Sequence, residues 1–164
     1  MNLTDKISKW FTYGEATFYE TAKRLGIPNV PSESDLENLV YTATHIADPC
    51  REFVGGPLEG KFYRSAELNS KIPGADPTSL HLTGQAVDLD CDKYGHGNNK
   101  DLFDFVRTKL DYDKVIWEHG TNDKPDWVHV QTRKSGNRKL VVRRFQVFQN
   151  GQYVRDKSIL FDLY

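Results

Sequence analysis

The chain has 164 residues, of which 38% are hydrophobic, with 22 Lys and Arg against 23 Asp and Glu. That length suits one domain with a sizeable core. A formal net charge of −1, with both signs mixed along the chain, argues against a nucleic-acid or membrane-surface protein, and no apolar run is long enough to span a bilayer. Met1 to Lys6 lacks the basic-then-apolar pattern of a secretory signal, so synthesis in the cytoplasm is expected. Cys50 and Cys91 are too few and too far apart for a disulfide framework, and Cys50 falls on an apolar helical stripe, so a buried thiol is expected.

Residues 1 to about 55 read as helical. Thr12-Tyr13-Gly14-Glu15 matches a capping box, predicting a helix to about Leu25 with Gly26 as its stop. Ile27 to Pro31 is an extended connector. A longer helix starts near Ser32 or Ser34, with Leu36, Leu39, Val40, Ala43, Ile46, Ala47, Cys50, Phe53 and Val54 at helical spacing. Pro49 inside that pattern predicts a kink or break in the turn before it. Beyond Gly55-Gly56-Pro57 the pattern changes to short strands and loops. Lys61 to Arg64 reads as a strand, Ser65 to about Ile72 as a short capped helix, and Pro73 to Leu80 as a loop. Strands are predicted over residues 85–91, 114–119 and 127–132, with a polar loop over 92–98 and a helix over 99–110. Leu140 to Gln149 and Gln152 to Val154 flank Asn150-Gly151, the strongest two-residue hairpin signal. The expectation is one α+β domain over 1–164: helices over 1–55, then, over 56–164, a mostly antiparallel sheet.

The chemistry concentrates in two stretches. Ser79-Leu80-His81-Leu82-Thr83-Gly84-Gln85-Ala86-Val87-Asp88 places a histidine and an aspartate across a glycine turn, and Asp126-Trp127-Val128-His129 adds a second imidazole and a spare carboxylate. Two imidazoles and one carboxylate are a hydrolytic zinc inventory, which leaves one position open for water. Strand alternation puts Ala86, Asp88 and Asp90 on one face and Val87 and Leu89 on the core face. Likewise Trp127, His129 and Gln131 share a face, with Val128 and Val130 opposite. Alternation alone would put Asp126 opposite His129, so a bend near Pro125 is needed to bring it beside the metal. Taken alone, the first stretch reads equally well as a loop histidine and a turn aspartate; the second stretch makes a metal site the better reading.

With these residues in view, the chain resembles the zinc D-Ala-D-Ala carboxypeptidases, a family that includes D-Ala-D-Ala dipeptidases and phage L-alanyl-D-glutamate endolysins. The resemblance rests on Ser-x-His-x-x-Gly-x-Ala-x-Asp over 79–88 and a carboxylate-x-x-His over 126–129. Further support comes from Phe62-Tyr63-Arg64-Ser65 with Asn69, and from Trp10-Phe11, Glu15 and Asn29-Val30-Pro31. Many relatives have Glu where Asp126 stands, and the phage endolysins often carry Asp. The resemblance implies a hedgehog/D-Ala-D-Ala peptidase-like fold, with Zn2+ on His81, Asp88 and His129, Asp126 as general base and Arg64 stabilising the substrate carbonyl. Ser79 would be a structural or substrate-side residue near the ligands, and Glu118 reads equally well as orienting a zinc-bound histidine from behind or as an exposed strand-end charge.

The implied activity is zinc-dependent hydrolysis of amide bonds in peptidoglycan stem peptides, at a D-Ala-D-Ala or an L-Ala-D-Glu bond. The expected setting is a phage-type lysin or a virion-associated enzyme that is made in the cytoplasm and acts on the bacterial wall. The expected partners are a stem peptide, no nucleic acid and no inserted membrane, and the chain is expected to be monomeric. The alternatives are a zinc-containing wall-binding module without activity and a virion structural component. His119, His96 and His45 are read as non-ligands, Asp90 and Asp92 likewise, and Trp117 and Trp127 as packing residues, with Trp127 on His129's face.

Overall fold

A computed structural model describes the backbone of residues 1–149 and 152–160, and side chains as far as Arg144. Among the described residues the helices are α1 (Tyr13–Thr17), α2 (Glu20–Leu25), α3 (Glu33–Thr42), α4 (Asp48–Val54), α5 (Ala66–Ser70) and α6 (Asn99–Lys109). The strands are β1 (Glu59–Lys61), β2 (Ala86–Asp90), β3 (Lys114–Glu118), β4 (Trp127–Gln131), β5 (Leu140–Gln149) and β6 (Gln152–Leu160), in the sheet order β1-β2-β4-β3-β5-β6. All neighbours pair antiparallel except β3 and β5, which run parallel. The α+β expectation therefore holds. The Asn150-Gly151 turn lies outside the described residues, but the strands flanking it pair antiparallel with Gln149 opposite Gln152.

The capping box forms as expected: Thr12 Oγ1 accepts from the Glu15 N–H, and Glu15 accepts from the Thr12 N–H. The single helix expected to Leu25 is instead two. Phe18 and Tyr19 are extended, and the Thr17 carbonyl accepts from Asn29 Nδ2 at 2.7 Å. The Thr17 hydroxyl turns back to the Tyr13 carbonyl, the kind of local side-chain bond that competes with a continuing helix. Asn29 also reaches the Tyr63 carbonyl and the Ser65 N–H, which ties the connector to the segment after β1. Pro49 acts as predicted: a π-helical turn at Ala43–Ala47 joins α3 to α4, since proline brings no N–H to the ladder. The strand expected at Lys61 to Arg64 lies at Glu59–Lys61. Residues 62–64 leave the sheet because the Tyr63 N–H goes to the Ala16 carbonyl and the Arg64 N–H to the His81 carbonyl.

The sheet has two different faces. On one, Val87, Leu89, Val115, Trp117, Val128 and Val130 pack against Leu39, Ala43, Ile46, Ala47 and Cys50 of the α3–α4 unit and against Leu102, Phe103 and Val106 of α6. Cys50 and Cys91 are free, buried thiols in this layer, and burial pushes the Cys50 thiol up. On the other face, Asp88, His129 and Ile116 lie side by side across three strands. Alternation thus sends the apolar side chains into the core and leaves the chemical ones on the open face.

Candidate metal centre and cleft

Gly84 brings His81 back over the sheet. The short 3-10 turn Leu80–Thr83 ends at Gly84 with φ +69°, in the left-handed region. A Cβ at this position would collide with the Asp35 carbonyl and lie 2.9 Å from the Leu39 amide, so glycine is also what allows the turn to approach α3. Ser79 caps the turn by accepting from the His81 N–H. From here His81 reaches Asp88 on β2, and Asp88 stands opposite His129 on β4. The ligand atoms of His81, Asp88 and His129 all lie within 4.8 Å of one another.

The hydrogen bonds fix which atoms face the centre. His81 Nδ1 lies 2.5 Å from the Phe62 carbonyl, which only accepts, so the ring donates there. That leaves the lone pair on Nε2, a fully buried atom without a hydrogen bond, 3.2 Å from Asp88 Oδ2. His129 Nδ1 is 2.6 Å from Asp88 Oδ1, and its Nε2 is 3.1 Å from Gln131 Nε2. Burial works to raise the Asp88 carboxyl, but the two imidazoles outweigh it and hold the group well below the usual carboxylate range. Burial holds His81 below the ordinary imidazole value against the pull of Asp88. An ionised carboxylate between two imidazoles, one with an orphaned buried nitrogen, is the donor set a zinc ion requires.

The centre lies in a cleft of about 740 Å3. Arg64, Ser79, Glu118, His119, Trp127 and Gln131 line it with the three ligand residues. Arg64 donates from Nη2 to Ser79 Oγ at 3.3 Å, while its buried Nε has no hydrogen bond. Glu118 is 4% exposed, its Oε1 accepts from Arg144 at 2.9 Å, and its buried Oε2 has no hydrogen bond. Gly120, at φ +69°, pulls the loop after β3 tightly against Lys124 and Asp126, where an added Cβ would lie 2.8 Å from the Asp126 amide.

Not every expected site residue converges. The cleft takes in His81, Asp88, His129, Arg64, Ser79 and Glu118, but Asp126 is not among the residues lining it. Asp126 is exposed at the head of β4; its N–H donates to the Glu118 carbonyl, and its own carbonyl accepts from Asn99 Nδ2 at 2.8 Å. His45 is exposed and stacked on Tyr41, and His96 is exposed. Asp90 is taken up by the Asp92 and Lys93 amides and Asn99, and Asp92 pairs with Lys124. His119 lines the cleft with its ring edge-on to Trp127. The sequence reading gave no role to Gln131, Lys114, Arg144 or Tyr19. Alternation signalled the shared face of Gln131 and His129, but the Gln131 contact emerges only in the fold. The Tyr19 hydroxyl is buried without a hydrogen bond, and burial, then Asp88, pushes its pKa up.

Two histidines and a carboxylate at the floor of an open cleft, backed by an arginine and a second buried carboxylate, define a mononuclear metallohydrolase centre. A family model described as Peptidase M15 matches residues 11–131, and the chain belongs to that family of zinc-dependent metallopeptidases. No curated protein matches the chain. No helix among the described residues is long and apolar enough to cross a membrane.

Proposed function

We propose that this metallopeptidase holds zinc on His81, Asp88 and His129 and hydrolyses amide bonds in peptidoglycan stem peptides as a lytic enzyme of the phage type. The reading is carried by the convergence of the three ligand atoms within 4.8 Å in a cleft that also contains Arg64 and Glu118. Bound zinc supplies a Lewis acid and lowers the pKa of water to near neutrality. Arg64, with an unengaged Nε, offers its guanidinium to the oxygen that gains charge as the amide is attacked. Trp127 gives the cleft an apolar wall on the His129 face.

The family pattern implies Asp126 as the proton acceptor, but burial and position favour Glu118. Arg144 holds one of its oxygens, and the other is left to take a proton from water and pass it to the departing amine. Asp126 then serves through its backbone, at the junction of β3 and β4. The wall substrate and the phage setting rest on the resemblance of the 79–88 and 126–129 stretches.

The test is digestion of purified peptidoglycan by the zinc-loaded protein, with mass spectrometry of the new termini. A single new carboxyl terminus, at D-Ala or at L-Ala of the stem, is expected, and absence of any new terminus overturns the reading in favour of a binding module. Glu118→Gln should retain about one zinc per chain and lose on the order of 10²–10⁴-fold in rate. Asp126→Asn should remain within a few-fold of the parent. The reverse ordering returns the base role to Asp126.

A further inference from the structure

Beyond the centre, the cleft is unevenly charged. Arg64, Lys114, Arg133, Arg138 and Arg144 line it, against Asp76, Asp88 and Glu118. The cations divide into two groups. Arg144 is paired with Glu118 at one end of β3. At the other end, Arg133 and Arg138 both pair with Asp113, at 3.0 and 2.6 Å. Lys114 sits beside them, half buried, and forms no ion pair among the described residues. Three cations against one carboxylate leave this end of the cleft short of negative charge. Burial, followed by the Arg138 and Arg144 charges, pushes the Lys114 ammonium below its ordinary range. An anion arriving here would relieve that repulsion.

The sheet register fixes where the anion would lie. Lys114, Gln131 and Ala86 form one row across β3, β4 and β2, and Ile116, His129 and Asp88 form another, one β-repeat away. Two residues along a strand span about 6.8 Å, and an extended peptide advances by half of that per residue. Glu118 is one further repeat away in the opposite direction on the same face. Lys114 and Glu118 thus flank the ligand row from opposite ends, one cationic and the other carrying a carboxylate oxygen without a hydrogen bond.

We propose that Lys114, backed by Arg138 and Arg133, binds a free α-carboxylate on the substrate residue that supplies the departing amine. The assignment rests on the hydrolytic reading above and sharpens its substrate class. Both bonds under consideration carry such a group. In a D-Ala-D-Ala end it is the chain terminus. In an L-Ala-D-Glu bond it is the α-carboxylate of a glutamate whose chain continues through its γ-carboxyl. Lys114 is therefore a specificity residue that recognises the carboxylate and leaves the proton and oxyanion steps to other groups.

The test compares zinc-loaded parent and Lys114→Met on two synthetic stem peptides, one ending at D-Ala-D-Ala and one with an internal γ-linked glutamate. Each is made with the free α-carboxylate and as the α-carboxamide. The parent should prefer the carboxylate form of one peptide, and that peptide identifies the source of the group. Lys114→Met should lower kcat/KM for that form roughly 10–100-fold, leave the amide form within about two-fold, and retain its zinc. Lys114→Arg should restore much of the preference. Calorimetric binding of the amine-side product, as acid and as amide, should show the same Lys114 dependence without turnover. If the parent cleaves acid and amide equally and Lys114→Met changes neither, the carboxylate assignment falls while the hydrolytic reading stands. If nothing is cleaved but the acid binds better in a Lys114-dependent way, the hydrolytic reading falls and the assignment stands.

Discussion

His81 and His129 are oriented by different devices, and the difference predicts which is easier to disturb. The partner of His81 is the Phe62 backbone carbonyl, which no side-chain substitution removes. His129 is held on its far nitrogen by the Gln131 amide. With Nδ1 given to a metal, Nε2 carries the hydrogen and the Gln131 amide must turn its oxygen toward it; nitrogen and oxygen exchange by a simple rotation. Gln131→Leu should therefore weaken zinc binding about 10–100-fold, as measured by competition with a chelator of known affinity. An unchanged affinity would show that strand packing alone orients the ring. At this scale the convergence of His81, Asp88 and His129 was legible in the sequence, because the His81–Asp88 and Asp126–His129 spacings, together with Gly84, constrain it strongly. Which of Asp126 and Glu118 lines the cleft was not. It depends on which carboxylate a bend between two strands turns inward, and the bend follows from Gly120 and from Asn99 holding the Asp126 carbonyl. Lys114 was also hidden, since its neighbours Arg133 and Arg138 come from a loop after β4 that only the folded sheet brings alongside.

At the scale of elements, Gly84 and Asp113 secure the two approaches to the cleft. Gly84→Ala should cost roughly 1–2 kcal/mol from the left-handed backbone alone, and more from the contact with Asp35 and Leu39. Because the same turn carries His81, thermal stability and zinc affinity should fall together; a normal melt with normal zinc content would contradict the role given to the turn. Asp113 is fully buried at the start of β3 and accepts from the Arg138 backbone N–H, Nε and Nη2. These hydrogen bonds, led by the Arg138 side chain, outweigh burial and lower its carboxyl from 3.8 to about 2. The folded state thus favours the ionised form. Its stabilisation, on the order of 2 kcal/mol, is complete above the unfolded value near pH 4 and disappears as pH falls toward 2. Asp113→Asn should destabilise the protein at neutral pH and flatten the acid limb of its stability curve, as followed by denaturant melts from pH 2 to 7. An unaltered acid limb would assign the acid sensitivity to other carboxylates. Caps and stops at this scale were readable: Thr12, Ser32, Gly26 and Pro49 all act where expected. The break after Thr17 and the early end of β1 were not. Both arise from distant hydrogen bonds, from Asn29 to Thr17 and from Arg64 to His81, that no local pattern encodes.

On the scale of the whole molecule, a metal held by His81, Asp88 and His129 would cross-link one loop and two strands on the open face of the sheet. The helical layer packs on the apolar face, so the open face is held mainly by the sheet ladder and by what converges on Asp88. His81 comes from the loop after α5, Asp88 from β2 and His129 from β4, three segments spread over almost fifty residues of chain. Without metal, Asp88 bridges both imidazoles and keeps them together, and the large buried core is independent of the centre. The metal-free protein should therefore fold, unlike small domains whose only core is their zinc. Zinc bound to the folded state alone adds RT ln(1 + [Zn]/Kd), about 2.7 kcal/mol at a hundred-fold excess over Kd. For a chain of this size that corresponds to a rise in Tm of roughly 5–11 °C. Scanning calorimetry of chelator-treated protein across a zinc titration should show one cooperative transition moving up with log zinc concentration. His129→Ala should melt below the metal-free parent, because it leaves the half-buried Asp88 with one imidazole partner, and should show a much smaller zinc-dependent shift. A parent whose Tm ignores zinc while binding it stoichiometrically would mean the ion is held equally well by the unfolded chain, and would remove the centre from the account of stability.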